Sequence, residues 1–277
     1  MELDEIAYEK AGGVACIVLD RPEQLNPISA RAGGTRDQVL FALADAEADP
    51  EIGCVLLRGA GRAFSAGGDI TGNARRETAF EQQEFLERAD SFHRRVREAR
   101  LPTIAAVHGH CLGAALTLVA SCDLVIAGES ARFGLPEGRI GLVGVAPLVP
   151  IVGRQWAKFL MFTGEPIDAH RARELGLVLT VEPDADLFDR ADDLAGRIAR
   201  LPREATLLNK RAVDAFADAA GEAVGRLAIQ AQDAVTLSNS GRATAPDGRT
   251  FREIIDTEGV EGLKAARAAQ YESGWLR

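Results

Sequence analysis

Three short segments of this 277-residue chain carry residue types that can do chemistry. In residues 58–69, RGAGRAFSAGGD, an apolar run enters a glycine-rich turn. There Ala66, Gly67 and Gly68 offer backbone N–H groups that could hold a carbonyl oxygen as it gains charge; a plain tight turn is the other reading. Gly59-x-Gly61 resembles a dinucleotide fingerprint only in part, because the third glycine is missing. In residues 108–116, HGHCLGAAL, Gly113 and Ala114 open an apolar helix, and a helix N-terminus presents unpaired N–H groups and a partial positive charge. These two turns, on neighbouring strands, could converge. His108, His110 and Cys111 lack a third or fourth ligand at recognisable spacing, so no metal is expected, and His110 is read as lining a pocket. In residues 133–144, FGLPEGRIGLVG, Glu137 is a lone carboxylate among apolar neighbours. Burial without a cation raises a carboxyl pKa towards neutrality, which suits a base that must also return its proton. An ion pair with Arg139 or Arg132 is the competing reading.

The elements that must position these segments are legible in the apolar pattern. VACIVL (14–19), CVLL (54–57), IAAV (104–107) and LVIA (124–127) have no polar alternation, as in strands covered on both faces. Between them, residues 30–49 place Val39, Leu40, Leu43 and Ala46 at helical spacing, and residues 80–100 do the same with Phe85, Leu86, Phe92 and Val96. Strand alternating with helix predicts an α/β domain whose site lies at the carboxyl ends of strands. Beyond about Trp156 strands become scarce, and 186–201, 202–220 and 221–237 read as successive helices; 238–247 reads as a loop. No period of 20 to 50 residues is visible in the sequence.

Composition excludes several classes. The chain is 47% apolar and 26% charged, as in ordinary globular proteins, and its net charge of −9 disfavours nucleic acid as a partner. Cys16, Cys54, Cys111 and Cys122 sit in or beside apolar runs and never as C-x-x-C, so reduced, mostly buried thiols are expected. The uncharged stretch 101–122 is interrupted by Pro102, His108, Gly109 and His110 and reads as a strand plus a buried helix, with no membrane span. The acidic start, MELDEIAYEK, is unlike a signal or transit peptide, and a cytoplasmic location is expected.

The motifs, in this order, resemble the enoyl-CoA hydratase/isomerase, or crotonase, family. They are Arg21-Pro22-x-x-x-Asn26, then Ala63-Phe64-Ser65-Ala66-Gly67-Gly68-Asp69-Ile70, Ala105-Ala106-Val107-x-Gly109, Phe133-Gly134-x-Pro136-Glu137 and Leu160-x-x-Thr163-Gly164. The resemblance implies an α/β fold: a crotonase-like spiral of ββα units over residues 1–200 and a C-terminal helical region over 201–277 that helps build a homotrimer or a dimer of trimers. It implies an acyl-CoA thioester as substrate and no separate cofactor, since coenzyme A is part of that substrate. By the same resemblance, the N–H groups of Ala66 and Ala114 hold the thioester oxygen, and residues 66–70 (Ala66, Gly67, Gly68, Asp69 and Ile70) line the CoA side. Alanine at 114, where glycine is usual, keeps the N–H.

Family hydratases carry two glutamates that handle a water between them. Glu137 matches the second, whereas the first falls on Thr117, whose hydroxyl is no acid or base near neutral pH. An aspartate found eight residues after the glutamate in some members is Val145 here, in a wall (Gly144 to Leu148) more apolar than usual. One carboxylate beside an oxyanion hole is what Δ3-to-Δ2 enoyl-CoA isomerases of the family use, so isomerisation is expected, with hydration the alternative and non-catalytic acyl-CoA binding a third reading. A serine hydrolase using Ser65 or Ser121 with His108 or His110 lacks the G-x-S-x-G elbow. The tail pocket is expected from residues 77–95.

Overall fold

The computed structural model describes residues 2–70, 78–141, 148–221, 242–271 and 274–276. A six-stranded sheet forms its centre, built from β1 (Ile6–Ala11), β2 (Val14–Leu19), β3 (Cys54–Gly59), β4 (Thr103–Val107), β6 (Leu124–Gly128) and β9 (Thr180–Glu182) in that spatial order. β1 runs antiparallel to β2 and every other pairing is parallel. The uninterrupted apolar runs follow from cover on both faces. Helix α6 (Leu187–Ala199) lays Leu187, Ala191 and Ala195, four residues apart, on Cys54, Leu56, Ile104, Ala106 and Ile126. On the opposite face Val55, Leu57, Ala105 and Val107 meet Val39, Ala42, Leu43 and Ala46 of α1 (Thr35–Ala48) and Phe92 and Val96 of α2 (Ala79–Arg97). Burying one such aliphatic or aromatic side chain contributes about 1.5–3 kcal/mol, so this two-sided cover is what anchors the sheet.

A second, three-stranded sheet holds β5 (His110–Leu112), β7 (Arg132–Gly134) and β8 (Ile167–Asp168). The two sheets turn the chain into a spiral. β4 leads to β5 and then to α3 (Ala114–Ala120); β6 leads to β7 and then, through a 3-10 turn (Pro136–Ile140), to α4 (Val149–Thr163). The turn after β3 takes the same course, since Ser65 bridges Cys111 of β5 before α2 begins. A ββα unit therefore recurs, although no period shows in the sequence. Its loops differ too much in length for one.

The stretch 101–122 is β4, β5 and α3, and no helix among the described residues is long and apolar enough to cross a membrane. Cys16, Cys54 and Cys111 are buried and Cys122 partly so, all as free thiols. Helices read at 186–201 and 202–220 appear as α6 and α7 (Arg203–Ala219). The helix read at 221–237 lies almost wholly outside the described residues. Three helices went unread: α4, which carries Pro150 and a non-helical Gly153, the six-residue α5 (Ala169–Glu174), too short for an apolar period, and α8 (Phe251–Ala268), kinked at Gly259. Glycine or proline inside a helix interrupts the apolar period by which it would be recognised.

Candidate active site

Each chemistry-bearing segment falls at the same place in the spiral, where a short strand or bridge gives way to a helix. Backbone ladders bring the first two together. Ser65 N–H donates to His110 O at 2.8 Å, and Leu112 N–H donates back to Ser65 O at 3.2 Å. Gly67, at φ +104, presses close enough on the second turn that a Cβ there would stand 2.6 Å from Leu112 O and 3.7 Å from Ala114 N. A Cβ on Gly68 would meet only the Ala114 methyl, at 3.9 Å. The convergence anticipated for the two turns is therefore present.

The loop donors are then decided by elimination. Ala66 N–H is spent on Leu25 O at 2.8 Å, Gly67 N–H on Ser65 Oγ at 3.1 Å, and Asp69 N–H on Ile28 O at 3.0 Å. Gly68 N–H alone of the four has no partner among the described residues, and Gly68 is exposed. This corrects the assignment of Ala66 as an oxyanion donor: a neighbouring segment remote in sequence already holds its N–H. Ala114 does not share that fate. It is the first residue of α3 after the Gly113 cap, and its N–H too has no partner among the described residues.

The Arg21 to Asn26 motif explains how the loop keeps its shape. Asn26 is buried with φ +53; its Nδ2 donates to Ala60 O and Ala63 O, both at 2.8 Å, and its Oδ1 accepts from Arg21 N. Arg21 Nη1 in turn pairs with Asp69 at 3.0 Å. Asp69 is thus a strut of the loop, while Ala66, Gly68 and Ile70 are its exposed residues. A polar residue that latches backbone carbonyls could have been suspected from Asn in an Arg-Pro-rich turn, yet its partners lie more than 30 residues away.

Glu137 comes to the same point. Its carboxylate packs against Gly113, where a Cβ would fall 2.0 Å from Oε1, so only glycine at φ +56 leaves room for it. Neither arginine weighed as an ion-pair partner takes it: Arg132 Nη1 donates to the carbonyls of Glu129 and Ala131, and Arg139 Nε to Thr163 O. Glu137 Oε2 is buried with no hydrogen-bond partner among the described residues. Burial accordingly pushes the carboxyl up to about 7, opposed by a hydrogen bond to its own backbone and by the charge of Arg267.

Thr117 and Ala114, three apart, are the half-exposed positions on otherwise buried α3; the Thr117 hydroxyl leans on Gly113 O at 3.4 Å. The His110 side chain is exposed, with Arg62 and Arg132 as its charged neighbours, so it is not brought to the carboxylate. His108 Nε2 lies 2.8 Å from Gly61 O, Ser65 is fully buried with its hydroxyl accepting from Gly67 N–H, and Ser121 Oγ donates to Thr117 O. No serine–histidine pair forms from these residues. No group of three or more metal-ligating side chains occurs among the described residues. Val145, with 142–147, lies outside them, as does Glu77 at the start of the expected tail pocket.

The two exchanged glycines give a direct test of this geometry. Gly67→Ala should lower the melting temperature by at least about 4 °C, because a positive φ and a backbone contact both oppose the methyl, at roughly 1–3 kcal/mol for the strain alone. Gly68→Ala, with open space, should melt within about 2 °C of the parent. Equal melting of the two would contradict the close approach of Gly67 to Leu112.

A spiral of ββα units thus carries two backbone N–H groups, without partners among the described residues, near a buried carboxyl. The sequence profile described as enoyl-CoA hydratase/isomerase matches residues 9–247, and the chain belongs to that family. It is 34% identical over 219 residues to a short-chain-enoyl-CoA hydratase of Clostridium acetobutylicum, covering 77% of this chain and 82% of that protein. The crystal structure of an enoyl-CoA hydratase/isomerase from Xanthobacter autotrophicus Py2 superposes with a TM-score of 0.90 at 31% identity, over 98% of this chain and 100% of that one. An enoyl-CoA hydratase structure from Mycobacterium smegmatis gives 0.84 at 26% identity, over 96% and 94%.

Proposed function

We propose that this protein isomerises enoyl-CoA thioesters, with the N–H groups of Gly68 and Ala114 holding the thioester oxygen and Glu137 as the single proton-transfer base. The observation that carries this reading is the juxtaposition of those two donors, which have no partner among the described residues, with one buried carboxyl packed on Gly113. Binding the oxygen makes the proton at C2 removable, because the enolate charge falls on two fixed dipoles; one such donor is worth about 3 to 4 kcal/mol of barrier. Glu137 takes that proton, the electrons delocalise over the dienolate, and the same carboxyl returns the proton at C4. No water is needed, and a carboxyl poised near 7 both accepts and releases a proton readily. Coenzyme A enters as part of the substrate, along the exposed Ala66, Gly68 and Ile70.

Hydration is the second reading, and the curated relatives favour it, since the one from Clostridium acetobutylicum is called a short-chain-enoyl-CoA hydratase. Thr117 argues the other way. A hydratase must activate a water and deliver a proton through separate groups, and position 117 supplies only a hydroxyl already leaning on Gly113 O. Incubation with 2-enoyl and 3-enoyl CoA esters of C4 to C16, analysed by mass spectrometry, separates them: isomerisation leaves the mass unchanged, and hydration adds one water. Binding with no turnover of any ester would make the protein a non-catalytic acyl-CoA binder. Thr117→Glu, which restores a carboxylate one helical turn from the hole, should raise hydration of crotonyl-CoA at least tenfold over the parent. A parent that already hydrates crotonyl-CoA rapidly would overturn the role given to Thr117.

Assembly into a homotrimer, or a dimer of trimers, is part of the same proposal. Helix α7 has no buried residue, and its Leu208, Val213 and Phe216 stand exposed, an apolar face suited to a second copy of the chain.

A further inference from the structure

Two arginines gather at the turn that bears Glu137, and neither forms an ion pair with a carboxylate among the described residues. Arg139 follows Glu137 by two residues; its Nε donates to Thr163 O and its guanidinium lies 4.6 Å from the centre of the Tyr271 ring. Its outer nitrogens have no hydrogen-bond partner among the described residues. Arg267, in the last turn of α8, is half-buried and makes no hydrogen bond or ion pair with any described residue; its charged neighbours are Arg139 and Glu137.

The side of the helix end that carries Arg267 is fixed by its companions. Just past the helix end, Gln270 Nε2 donates to Arg139 O at 2.6 Å and the Tyr271 ring stacks on the Arg139 guanidinium, which ties the segment that follows Arg267 to the Glu137 turn. Leu263 and Ala266 pack with Ile140 of the same turn. A half-buried cation beside a second cation is a standing cost unless an anion offsets both. Glu137 offsets them only in part, since its burial opposes the charged form.

We propose that Arg267 and the outer nitrogens of Arg139 form an anion subsite beside Glu137 that receives a carboxylate borne by the acyl group, so that CoA thioesters of dicarboxylic acids are preferred over those of plain fatty acids. This rests on the reading of Glu137 as the base. The position decides which anion is meant: the pair lies at the carboxyl next to which the reacting carbons sit, whereas the CoA-side residues 66–70 belong to a different turn. Arginine suits the task because its planar donors match a carboxylate in pairs.

Calorimetric binding of glutaryl-CoA and valeryl-CoA, saturated esters of equal carbon count, tests this without turnover. The intact protein should bind glutaryl-CoA at least tenfold more tightly, and Arg267→Gln should bring the two affinities within about twofold of each other. Equal binding of the two esters by the intact protein would overturn the subsite, a result that no folding defect can mimic. So would an Arg267→Gln protein that weakens both esters and free CoA alike while 3′-dephospho-CoA is unaffected, because the anion would then be a phosphate of CoA. Failure of both esters to bind would remove the acyl-CoA reading itself along with the subsite.

Discussion

Replacing Glu137 by glutamine should lower enoyl-CoA turnover by at least about a hundredfold, the usual scale for a lost acid–base group, while the affinity for the CoA ester stays within a few fold. Glutamine keeps the shape that packs against Gly113, so the loss isolates the proton-transfer step. The parent should show kcat/KM rising with pH through about 7, since the free enzyme must present the ionised base and burial holds that carboxyl up. The residual rate of Glu137→Gln should be flat across the same range. Stability moves oppositely. With a folded value of about 7 against 4.5 for the free side chain, the folded state keeps a proton that the unfolded state has released, so the parent loses stability as pH rises between those values. Thermal melting at pH 5 and pH 8 should show that slope reduced in Glu137→Gln. Near-parental turnover in this variant would overturn the assignment of the base.

Ala114→Pro should cost about a hundred- to a thousandfold in turnover, the effect of one missing oxyanion donor. Side-chain replacements test the hole poorly, because the donor is backbone. Proline removes the N–H outright, and the position tolerates it: Ala114 is the first residue of α3, where the missing N–H breaks no helical bond. Gly113 before it has ψ −122, well away from the helical values that proline forbids in its predecessor. Circular dichroism and melting temperature should therefore stay close to those of the parent. A well-folded Ala114→Pro protein with undiminished turnover would mean that the thioester oxygen is held elsewhere.

Much of this architecture follows from local sequence, and the reason is energetic. Runs such as VACIVL and IAAV are apolar on both sides because helices cover both faces, and that burial leaves a mark on every residue of the strand. Helices α1, α2, α6 and α7 were legible because one face of each carries regular apolar spacing. Strand β1 left no such mark: apart from Ile6 its residues are half or fully exposed, amid charge. The short strands β5, β7 and β8 span two or three residues, too few for any period to emerge. The ββα spiral they create was legible through family motifs, not through periodicity.

The site divides along the same line. That glycine-rich turns and an isolated glutamate carry the chemistry is written in residue types and spacing. Which N–H in the first turn remains free is not, because Leu25 and Ile28, some 40 residues earlier, claim those of Ala66 and Asp69 and leave Gly68. Nor does the sequence tell whether Glu137 is paired. Arg132 and Arg139 stand close in the chain, but backbone carbonyls and Tyr271 hold them, and the carboxyl is left buried against Gly113. Residue identity set which groups were present; only long-range packing decided which of them were spent on the fold and which were left for a ligand, since a hydrogen bond or an ion pair is settled by the partner that arrives in space.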